Sequence, residues 1–433
     1  MDLFTVSVSL LACLAAFLLG TVWVGISLFM VGLVAFYFFT GSPTLAILSN
    51  IMWNSISGST MLALPLFVLM GEILFRSKIS ENLFNGLSPW MDHLPGRLVH
   101  VNIVACTLFA AVSGSSAATT ATVGKITLPQ LLKRNYDRGL VLGSLAGAGT
   151  LGFLIPPSMM MLVYGILADV SIGKLFIAGI IPGLILAAAF SGFVFLRCLI
   201  NPQLAPKSDL VYSWTDRLKT IPQLLPVFSL IIMVLGAIYL GWATPTEAAA
   251  VGVIGSLFFA WISKSLDYAV FREALMGSVK TSCMIMWIVS GASFLSVAVG
   301  YLGIPAQLTA FIGTLALSKY FLIAILSVMY LVLGCLLDGF SMIVMSLPIA
   351  LPLIKAAGFD PIWFGIYLVV MIEVAQITPP VGFNLFVING LVHDDLFTIA
   401  KYAFPSFVIM MLFTALITAY PDIVLMVPRL MIK

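Results

Sequence analysis

The chain has 433 residues, of which 61% are hydrophobic and only 9% are charged, and its net charge is +3. Soluble globular domains are typically about 25% charged, so this composition excludes a water-soluble fold and indicates an integral membrane protein. The five cysteines form no CxxC pair, and the three histidines are dispersed. The sequence therefore indicates no disulfide framework, metal cluster or catalytic constellation.

The first half of the chain is typical of membrane helices separated by polar segments. Residues 3–40 carry no charge and are long enough for two spanning helices of about 20 residues each, which we predict at 3–19 and 22–40. Asp2, in place of a basic segment, argues against a removable signal peptide. Further along we predict a helix at 55–75, a polar segment at 76–97 and an interrupted apolar stretch at 98–132. A broken helix at 139–170 and a spanning helix at 172–200 follow.

The second half repeats this order after a polar segment at 201–219. We predict three helices at 221–241, 245–262 and 281–300, followed by a segment of mixed polarity at 301–318. An interrupted apolar stretch at 319–356, a broken helix at 361–391 and a last helix from about 401 complete this half. Four prolines also recur at one constant shift, because Pro129, Pro156, Pro157 and Pro182 match Pro352, Pro379, Pro380 and Pro405. This repeat register predicts two copies of one unit of about 220 residues.

The interruptions at Ser113–Ser116 and Asp338–Ser341 suggest a topology. If both stretches are re-entrant hairpins, about five crossings remain in each repeat, and an odd number turns the second repeat upside down. This topology places 14 of the 20 basic residues on one face, which the positive-inside rule makes cytoplasmic. They are Arg76, Lys78, Arg97, Lys133, Arg134, Arg138, Arg197, Lys207, Arg217, Lys219, Lys264, Arg272, Lys280 and Lys401. Both termini then face outward, and the hairpins open to opposite faces.

Each half also carries a double proline inside an apolar helix. Non-helical backbone within a bilayer leaves N–H and C=O groups unpaired at a cost of several kcal/mol each, and paired broken helices are typical of transporter binding sites. The hydroxyls and carbonyls at Ser113–Ser116, with Thr378 and Asn384 at the second break, suit a weakly held monovalent cation. Half-helix N-termini suit an anionic group. The pattern predicts a sodium-coupled carrier of an organic anion.

Structural interpretations of the same residues stay open at this point. Ser115 aligns with Asp338 in the repeat, and a carboxylate within the membrane is a functional candidate, but Asp338 could also cap a helix or pair with Lys125. The serines could simply allow close helix packing, and the double prolines could be kinks. Glu373, which precedes the second break by five residues and aligns with Thr150, is expected to orient that break. Glu247 fits a capping box at a helix start.

Several motifs together resemble one known family. The most specific is Gly149-Thr150-Leu151-Gly152-Phe153-Leu154-Ile155-Pro156-Pro157-Ser158, which continues to Pro182-Gly183. Supporting motifs lie at Ser113–Ala118, Ala243–Ala250 and Thr378–Leu385. Over essentially its whole length, the chain resembles the large membrane subunit of tripartite ATP-independent periplasmic (TRAP) transporters. The resemblance implies an all-α membrane protein of two inverted repeats that imports an organic acid, a carboxylate or a sialic acid, into bacteria by a Na⁺-driven elevator motion.

The resemblance also implies partners and site residues. The partners are a small four-helix membrane subunit and a soluble periplasmic substrate-binding protein, with no nucleic acid and no cofactor besides the coupling Na⁺. The implied sodium-binding residues are Ser113, Gly114, Ser115, Ser116, Gly149, Thr150, Ile155, Pro156, Asp338, Gly339, Ser341, Gln376, Thr378 and Pro379. The implied substrate-binding residues are Ser116, Pro157, Ser158, Pro380, Gly382 and Asn384.

The implied domain organisation is a fixed scaffold and a moving transport part. The scaffold would comprise 1–97 and 220–318, including arms at 80–95 and 302–318, and the transport part 98–200 and 319–433, with 201–219 as the linker. Two other functions stay open: a stand-alone sodium–carboxylate symporter of related two-hairpin architecture, and a membrane enzyme with Asp338 and Glu373 as acid and base. We favour a transporter over an enzyme because no His, Cys or metal constellation accompanies these carboxylates. The resemblance implies that this transporter lies in a bacterial inner membrane.

Overall fold

The computed structural model describes residues 3–40, 43–206, 213–314, 318–335, 337–380 and 382–430. Every regular element in these ranges is a helix, and seven helical segments among them are long and apolar enough to cross a membrane. These segments are Ser59–Arg76, Ile172–Ile200, Trp214–Tyr239, Pro245–Ile262, Tyr268–Tyr301, Gly339–Ala356 and Leu396–Ala419. The expected fold class, an all-helical integral membrane protein, is confirmed.

Most of the described chain lies in α-helices joined by short turns. Repeat 1 is composed of α1 (Leu3–Leu19), α2 (Val24–Ala35), α3 (Thr44–Ser57), α4 (Ala63–Arg76), α5 (Ile79–Met91), α6 (Leu98–Ser113), α7 (Ser116–Lys133), α8 (Arg138–Thr150), α9 (Met159–Ala168) and α10 (Ile172–Ile200). Repeat 2 is composed of α11 (Trp214–Tyr239), α12 (Pro245–Ile262), α13 (Tyr268–Tyr301), α14 (Ile304–Thr314), α15 (Lys319–Gly334), α16 (Gly339–Ala356), α17 (Pro361–Gln376), α18 (Phe383–Val392), α19 (Leu396–Ala419) and α20 (Asp422–Leu430).

The helices of the two repeats keep the register of the repeated prolines. The shift that carries Pro129 onto Pro352 also carries α7 onto 339–356, which are the bounds of α16. Asp137 and Asp360, one shift apart, cap α8 and α17 by accepting hydrogen bonds from backbone N–H groups of those helices. Both double prolines contain a cis peptide bond. Equivalent local sequence therefore starts and interrupts equivalent helices at equivalent positions.

A first group of helices, which includes α2, α4, α12 and α13, packs across the two repeats. α2 packs on α13, and in the equivalent contact α12 packs on α4. The ring of Phe29 on α2 lies 4.8 Å from Trp287 on α13, and the ring of Phe36, directly after α2, lies 5.3 Å from Phe294 on α13. Gly291 leaves the space for this approach, because a Cβ there would lie 2.9 Å from the backbone oxygen of Gly25. The reciprocal exchange is that expected of two inverted repeats related by a pseudo-two-fold axis.

The best-buried helices lie in the second group, formed by α6–α10 with α15–α20. α8 is buried from Leu140 onward and α17 from Trp363 onward. Both sequences lack a polar stripe, which is typical of a helix surrounded by other helices. The rings of Phe359, Trp363 and Tyr367 stack along one side of α17 at centroid distances of 4.5 Å and 5.4 Å. α8 and α17 are the helices that run into the two double-proline breaks.

The structure corrects the sequence-based bounds between residues 41 and 75. We predicted one helix at 55–75, but α3 occupies Thr44–Ser57 and a 3₁₀ turn separates it from α4. Residues of α3 such as Asn50 and Asn54 lower its hydropathy, and their side chains bond to each other at 2.6 Å. The equivalent part of repeat 2 is not interrupted, because it forms the first turns of the 34-residue helix α13.

Other helices are longer than predicted. α11 begins at Trp214 within the predicted linker, where Ser213 and Asp216 form a capping box, and α13 begins at Tyr268 rather than near 281. The last predicted helix begins at Leu396 and is followed by a separate helix, α20. Hydropathy reports only the part of a helix that lies in lipid, so charged turns that extend beyond the membrane are missed. Residues 207–212 and 315–317, parts of the predicted linker and second arm, lie outside the described ranges.

Candidate functional site

The first interrupted stretch forms a helical hairpin whose tip contains two non-helical residues. Gly114 adopts a left-handed conformation with φ of 60°, and Ser115 is extended and caps α7 by accepting from Ala118 N–H. Thr119 Oγ1 donates to the carbonyl of Ser115 at 2.7 Å and lies 2.9 Å from Ser113 Oγ. We call residues 113–116 tip 1. Its hydroxyls and carbonyls are concentrated around one turn, as the sequence predicted.

Tip 1 packs directly on the first double-proline break, residues 151–158, which we call break 1. The backbone N–H of Met159 donates to Gly114 O at 3.3 Å, and a Cβ on Gly152 would lie 2.5 Å from Ser115 O. Ile155, Pro156, Pro157 and Ser158 are all buried. The Ser158 hydroxyl donates to Phe153 O and caps α9. The structure therefore places the predicted residues of tip 1 and break 1 against each other.

Gly149 and Thr150, at the end of α8, contact neighbouring helices rather than tip 1. A Cβ on Gly149 would collide with Thr120 Oγ1, so this glycine allows α7 and α8 to touch. The Thr150 hydroxyl donates to Gly147 O of its own helix at 2.8 Å. The Thr150 hydroxyl also lies 3.7 Å from Met410 Sδ of α19, whereas Thr120 lies against Gly149 with its buried hydroxyl unpartnered.

The second hairpin is interrupted three residues earlier than predicted, because α15 ends at Gly334 and α16 begins at Gly339. We call residues 335–338 tip 2; Leu336 lies outside the described ranges. Asp338 caps α16, accepting from Phe340 N–H at 3.1 Å and from the buried Ser341 hydroxyl. The capping interpretation of Asp338 is thus correct, and no ion pair joins Asp338 to Lys125 among the described residues. Ser115 and Asp338 are equivalent N-caps.

The second break, residues 377–382, leads from α17 to α18, and we call it break 2. Gln376 is buried at the end of α17, and Thr378 Oγ1 donates back to Val374 O at 2.7 Å. Pro379 O accepts from Cys335 Sγ at 3.3 Å, which joins tip 2 to break 2. Gly382 has φ of 45°, a conformation that glycine adopts without steric cost, and Val381 lies outside the described ranges. Pro380 is exposed.

Contacts between the repeats complete the arrangement. Ser116 Oγ of tip 1 lies 3.0 Å and 2.7 Å from the two side-chain polar atoms of Asn384 in α18, and both residues are fully buried. In the reciprocal contact, a Cβ on Gly339 would lie 2.8 Å from Met160 of α9. Each hairpin thus packs on the broken helix of its own repeat and on that of the other repeat. The structure brings the predicted positions together, with the Thr150 side chain directed elsewhere.

Sequence reasoning missed Thr119, Thr120 and Cys335. Thr119 and Thr120 follow tip 1 by one helical turn, and that i+3 or i+4 spacing from Ser116 is the signal that could have found them. Cys335 carried no signal, since its role depends on the approach of break 2. No group of three or more His, Cys, Asp or Glu residues in the described ranges could hold a metal ion by itself. A cation here would depend on neutral oxygens and at most one carboxylate.

An ion pair joins the repeats at one end of the site. Arg138 at the start of α8 makes two contacts with Asp394, at 2.7 Å and 2.8 Å, and Asp394 O accepts from Asn389 at 2.5 Å. The Arg138 guanidinium holds the pKa of Asp394 below its usual range. At the equivalent end of the other broken helix, Tyr164 OH donates to Pro361 O at 2.6 Å. Both broken helices are therefore tied to their counterparts.

The fold and site define a class of protein: a multi-pass membrane transporter built from two repeats, each with a hairpin and a broken helix. Residues 11–423 match the family model described as "Tripartite ATP-independent periplasmic transporter, DctM component". The chain belongs to this family, the large permease component of TRAP transporters. It is therefore a subunit of a secondary transporter in the bacterial inner membrane and not an enzyme.

Individual relatives agree with this assignment. The chain is 33% identical to the C4-dicarboxylate TRAP transporter large permease protein DctM of Pseudomonas aeruginosa, over 86% of each protein. It is 29% identical to the sialic acid TRAP transporter large permease protein SiaM of Vibrio cholerae, over 94% of this chain and 95% of that protein. The crystal structure of the Alcanivorax borkumensis YdaH transporter is similar with a TM-score of 0.62 at 14% identity, covering 87% of this chain and 88% of that one. That likeness concerns the fold alone.

Proposed function

We propose that this chain uses a Na⁺ gradient to import a small organic acid. The observation that carries the proposal is the meeting of tips 1 and 2 with breaks 1 and 2 in one region, where non-helical backbone and hydroxyls supply neutral oxygens. Such oxygens suit Na⁺, which binds weakly enough to be released on the other side of the membrane. Asp338 supplies the one carboxylate at a tip. The proposed sodium ligands are the residues predicted from the sequence, with Thr119 as an additional hydroxyl.

The proposed substrate class is a carboxylate. Ser116 and Asn384, joined across the repeats, offer a hydroxyl and an amide beside the N-terminal ends of α7 and α18. N-terminal ends of helices favour negative charge. Relatives are named for C4-dicarboxylates and for sialic acid, which are both organic acids. Both belong among the first compounds to test.

We further propose that transport proceeds by an elevator motion with two partner proteins. The moving part would be the group that carries the tips and breaks, 98–200 and 319–433, and the scaffold would be 1–97 and 220–318, joined by 201–219. The reciprocal packing of α2 on α13 and α12 on α4 supports a scaffold shared between the repeats. The partners are a small four-helix membrane subunit and a periplasmic substrate-binding protein, as expected for this family.

The test is uptake of labelled organic acids into proteoliposomes that contain this chain and the small subunit, with the binding protein outside. We expect accumulation only with an inward Na⁺ gradient and with the binding protein present. Uptake that is equal with choline in place of Na⁺ would overturn sodium coupling. Uptake by this chain alone would instead favour the stand-alone symporter.

A further inference from the structure

The connection between α5 and α6 contains a strained turn. Residues 94–97, which we call the arm turn, close with a hydrogen bond from Arg97 N–H to Leu94 O at 2.9 Å, and Gly96 has φ of 100°. A proline followed by a glycine of positive φ is typical of a type II turn. Arg97 then has φ of 44° and ψ of −119°, a strained conformation for a residue with a side chain. Such strain persists only where the surrounding structure holds the backbone in place.

Before the arm turn, the chain is fixed to the proposed scaffold. α5 packs along α11, where Trp90 Nε1 donates to Thr220 Oγ1 at 3.2 Å. Arg217 Nε of α11 donates to Pro89 O at 3.2 Å. Both contacts lie in the last turn of α5. The scaffold therefore holds the chain up to residue 90.

At the arm turn itself, the chain is fixed to the proposed transport part through His100. This ring is buried in the first turn of α6, with Nε2 at 2.6 Å from Pro95 O and Nδ1 at 2.7 Å from Ser191 Oγ on α10. Because a carbonyl oxygen only accepts, Nε2 carries the hydrogen and donates it, so Nδ1 of the neutral ring accepts from the Ser191 hydroxyl. His100 thus joins the arm turn, α6 and α10.

Packing around the ring brings the arm turn into direct contact with α10. A Cβ on Gly96 would lie 2.9 Å from His100 Nε2 and 2.7 Å from Val194 Cγ1 of α10. Glycine is therefore required at this position both for its φ and for the close approach. The backbone of the arm turn lies against the transport part.

The equivalent positions in repeat 2 carry different residues. In the repeat register, His100 corresponds to Ile323, whose side chain has no polar atom. Ser191 corresponds to Thr414, which donates to Met410 O of its own helix at 2.9 Å. The repeat fold can thus be built without the hydrogen bonds of His100, so these bonds serve the connection of repeat 1 in particular.

We infer that His100 is a positioning residue that fastens the arm turn to the transport part and so confines bending to residues 91–93, which we call the hinge segment. α11 holds the chain before these residues and His100 holds it after them, so the hinge segment absorbs the change of angle when the transport part moves. Fastening also maintains the strain at Arg97, which an unheld turn would relax. Arg97 lies 3.8 Å from Asp92 of the hinge segment, at the limit of an ion pair, so this contact restrains bending weakly. This inference rests on the proposed elevator motion and adds a residue outside the tips and breaks.

Two substitutions of His100 separate its two hydrogen bonds. The side-chain amide of glutamine reaches about as far as Nε2 and that of asparagine about as far as Nδ1, so His100→Gln can keep the bond to Pro95 O and His100→Asn cannot. We expect His100→Asn to lower the maximal rate of Na⁺-driven uptake about fivefold, which corresponds to one ordinary hydrogen bond. His100→Gln should stay within about twofold of the wild type, because it retains that bond. Neither should move the Na⁺ concentration for half-maximal uptake, since His100 lies outside the tips and breaks.

Two further substitutions change the neighbours of the ring. In Gly96→Ala, the new Cβ displaces the arm turn from His100, so we expect the same loss of rate as in His100→Asn. Ser191→Ala is the matched control, because it removes the bond between α6 and α10 and keeps the bond to Pro95 O. We expect Ser191→Ala to lower thermal stability and to retain the rate of uptake.

The measurements are initial rates of uptake at saturating Na⁺, in proteoliposomes with both partners, and hydrogen exchange with and without Na⁺. In the wild type, the difference that Na⁺ makes to exchange should be confined to the amides of residues 91–94. In His100→Asn and Gly96→Ala it should extend to residues 96–100, because the arm turn is no longer fastened.

The outcomes keep the two proposals apart. If His100→Asn and His100→Gln transport at equal rates, the bond to Pro95 O has no role in transport and the inference is wrong. If Ser191→Ala loses as much rate as His100→Asn, the link between α6 and α10 explains the residue and the inference is again wrong. Either result leaves the proposed function standing. If the wild type shows no Na⁺-driven uptake, the proposed function fails, and exchange of residues 96–100 in His100→Asn against His100→Gln still decides whether His100 fastens the arm turn.

Discussion

Break 1 and break 2 carry the double proline at equivalent positions of the repeat but have different surroundings. Residues 151–158 are all buried, and tip 1 closes over them through Ser115 and Gly114. In break 2, Thr378 and Pro379 are half-buried and Pro380 is exposed, and Asp338 of tip 2 is exposed as well. A duplicated motif thus lies in a closed site in one repeat and in an open site in the other. Equivalence in sequence determines the shape of a break but not its access to solvent.

The largest effect should follow from filling the space between tip 1 and break 1. In Gly152→Ala, the new Cβ would lie 2.5 Å from Ser115 O and 2.7 Å from Ser116 N, so the backbone of tip 1 must move. Overpacking of this kind costs about 1–3 kcal/mol, and we expect sodium-driven uptake to fall at least about tenfold. Uptake assays on protein with verified membrane expression provide the measurement.

Gly390 provides the control for this substitution on the side of break 2. A Cβ there would meet nothing within 4 Å, so Gly390→Ala should retain wild-type uptake. Equal uptake by both alanine variants would contradict the close packing of tip 1 on break 1.

The second prediction compares the equivalent caps Asp338 and Ser115. Asparagine caps a helix about as well as aspartate, so Asp338→Asn removes mainly the charge, and we expect about a tenfold or greater rise in the Na⁺ concentration for half-maximal uptake. Ser115→Ala removes a neutral oxygen and should shift the same concentration less, by about threefold. Sodium titrations of uptake measure both.

Asp360→Asn is the matched control, because Asp360 caps α17 through Ile362 N–H and lies at the opposite end of that helix from break 2. We expect it to leave sodium activation unchanged. Unchanged activation in both Asp338→Asn and Ser115→Ala would remove the assignment of the tips as cation sites.

The third prediction concerns access. Thr378 and Ile155 are equivalent positions, one half-buried in break 2 and the other 7% exposed in break 1. In a background without the five native cysteines, a polar thiol reagent should label Thr378→Cys about ten times faster than Ile155→Cys, since reaction requires access to the thiol. Equal labelling rates would show that the two breaks do not differ in access.

The smallest effect is expected from the ion pair between Arg138 and Asp394. Its side chains are 45% and 23% exposed, so the pair should contribute less than about 1 kcal/mol to stability. The pKa of Asp394 is lower in the folded protein than in the unfolded chain. The contribution to stability is therefore fully present at pH values above the pKa of Asp394 in the unfolded chain, and it is lost as the pH falls through the pKa of Asp394 in the folded protein. Thermal unfolding of Asp394→Asn against wild type should differ slightly near neutral pH and converge in acid; a difference that grows in acid would contradict this.

Periodicity in the chain was sufficient to predict the duplicated architecture. The repeated prolines located both breaks, and Ser113–Ser116 located tip 1, because departures from helical backbone require particular residues wherever they occur. The capping box at Thr244 and Glu247 was likewise predicted, and the structure confirms it. Hydropathy was less informative at α3 and at the first turns of α11 and α13, since those turns owe their helical state to neighbours and caps rather than to lipid.

Tertiary structure alone decided which groups meet. Whether Asp338 caps a helix or pairs with Lys125, and whether Thr150 faces the site or its own helix, depends on rotamers and on the approach of segments from opposite halves of the chain. The pairing of Ser116 with Asn384 arises only when one repeat packs against the other. A local pattern can specify where a helix must stop, because that is a property of a few neighbouring residues. Burial and partnership are properties of the assembled molecule.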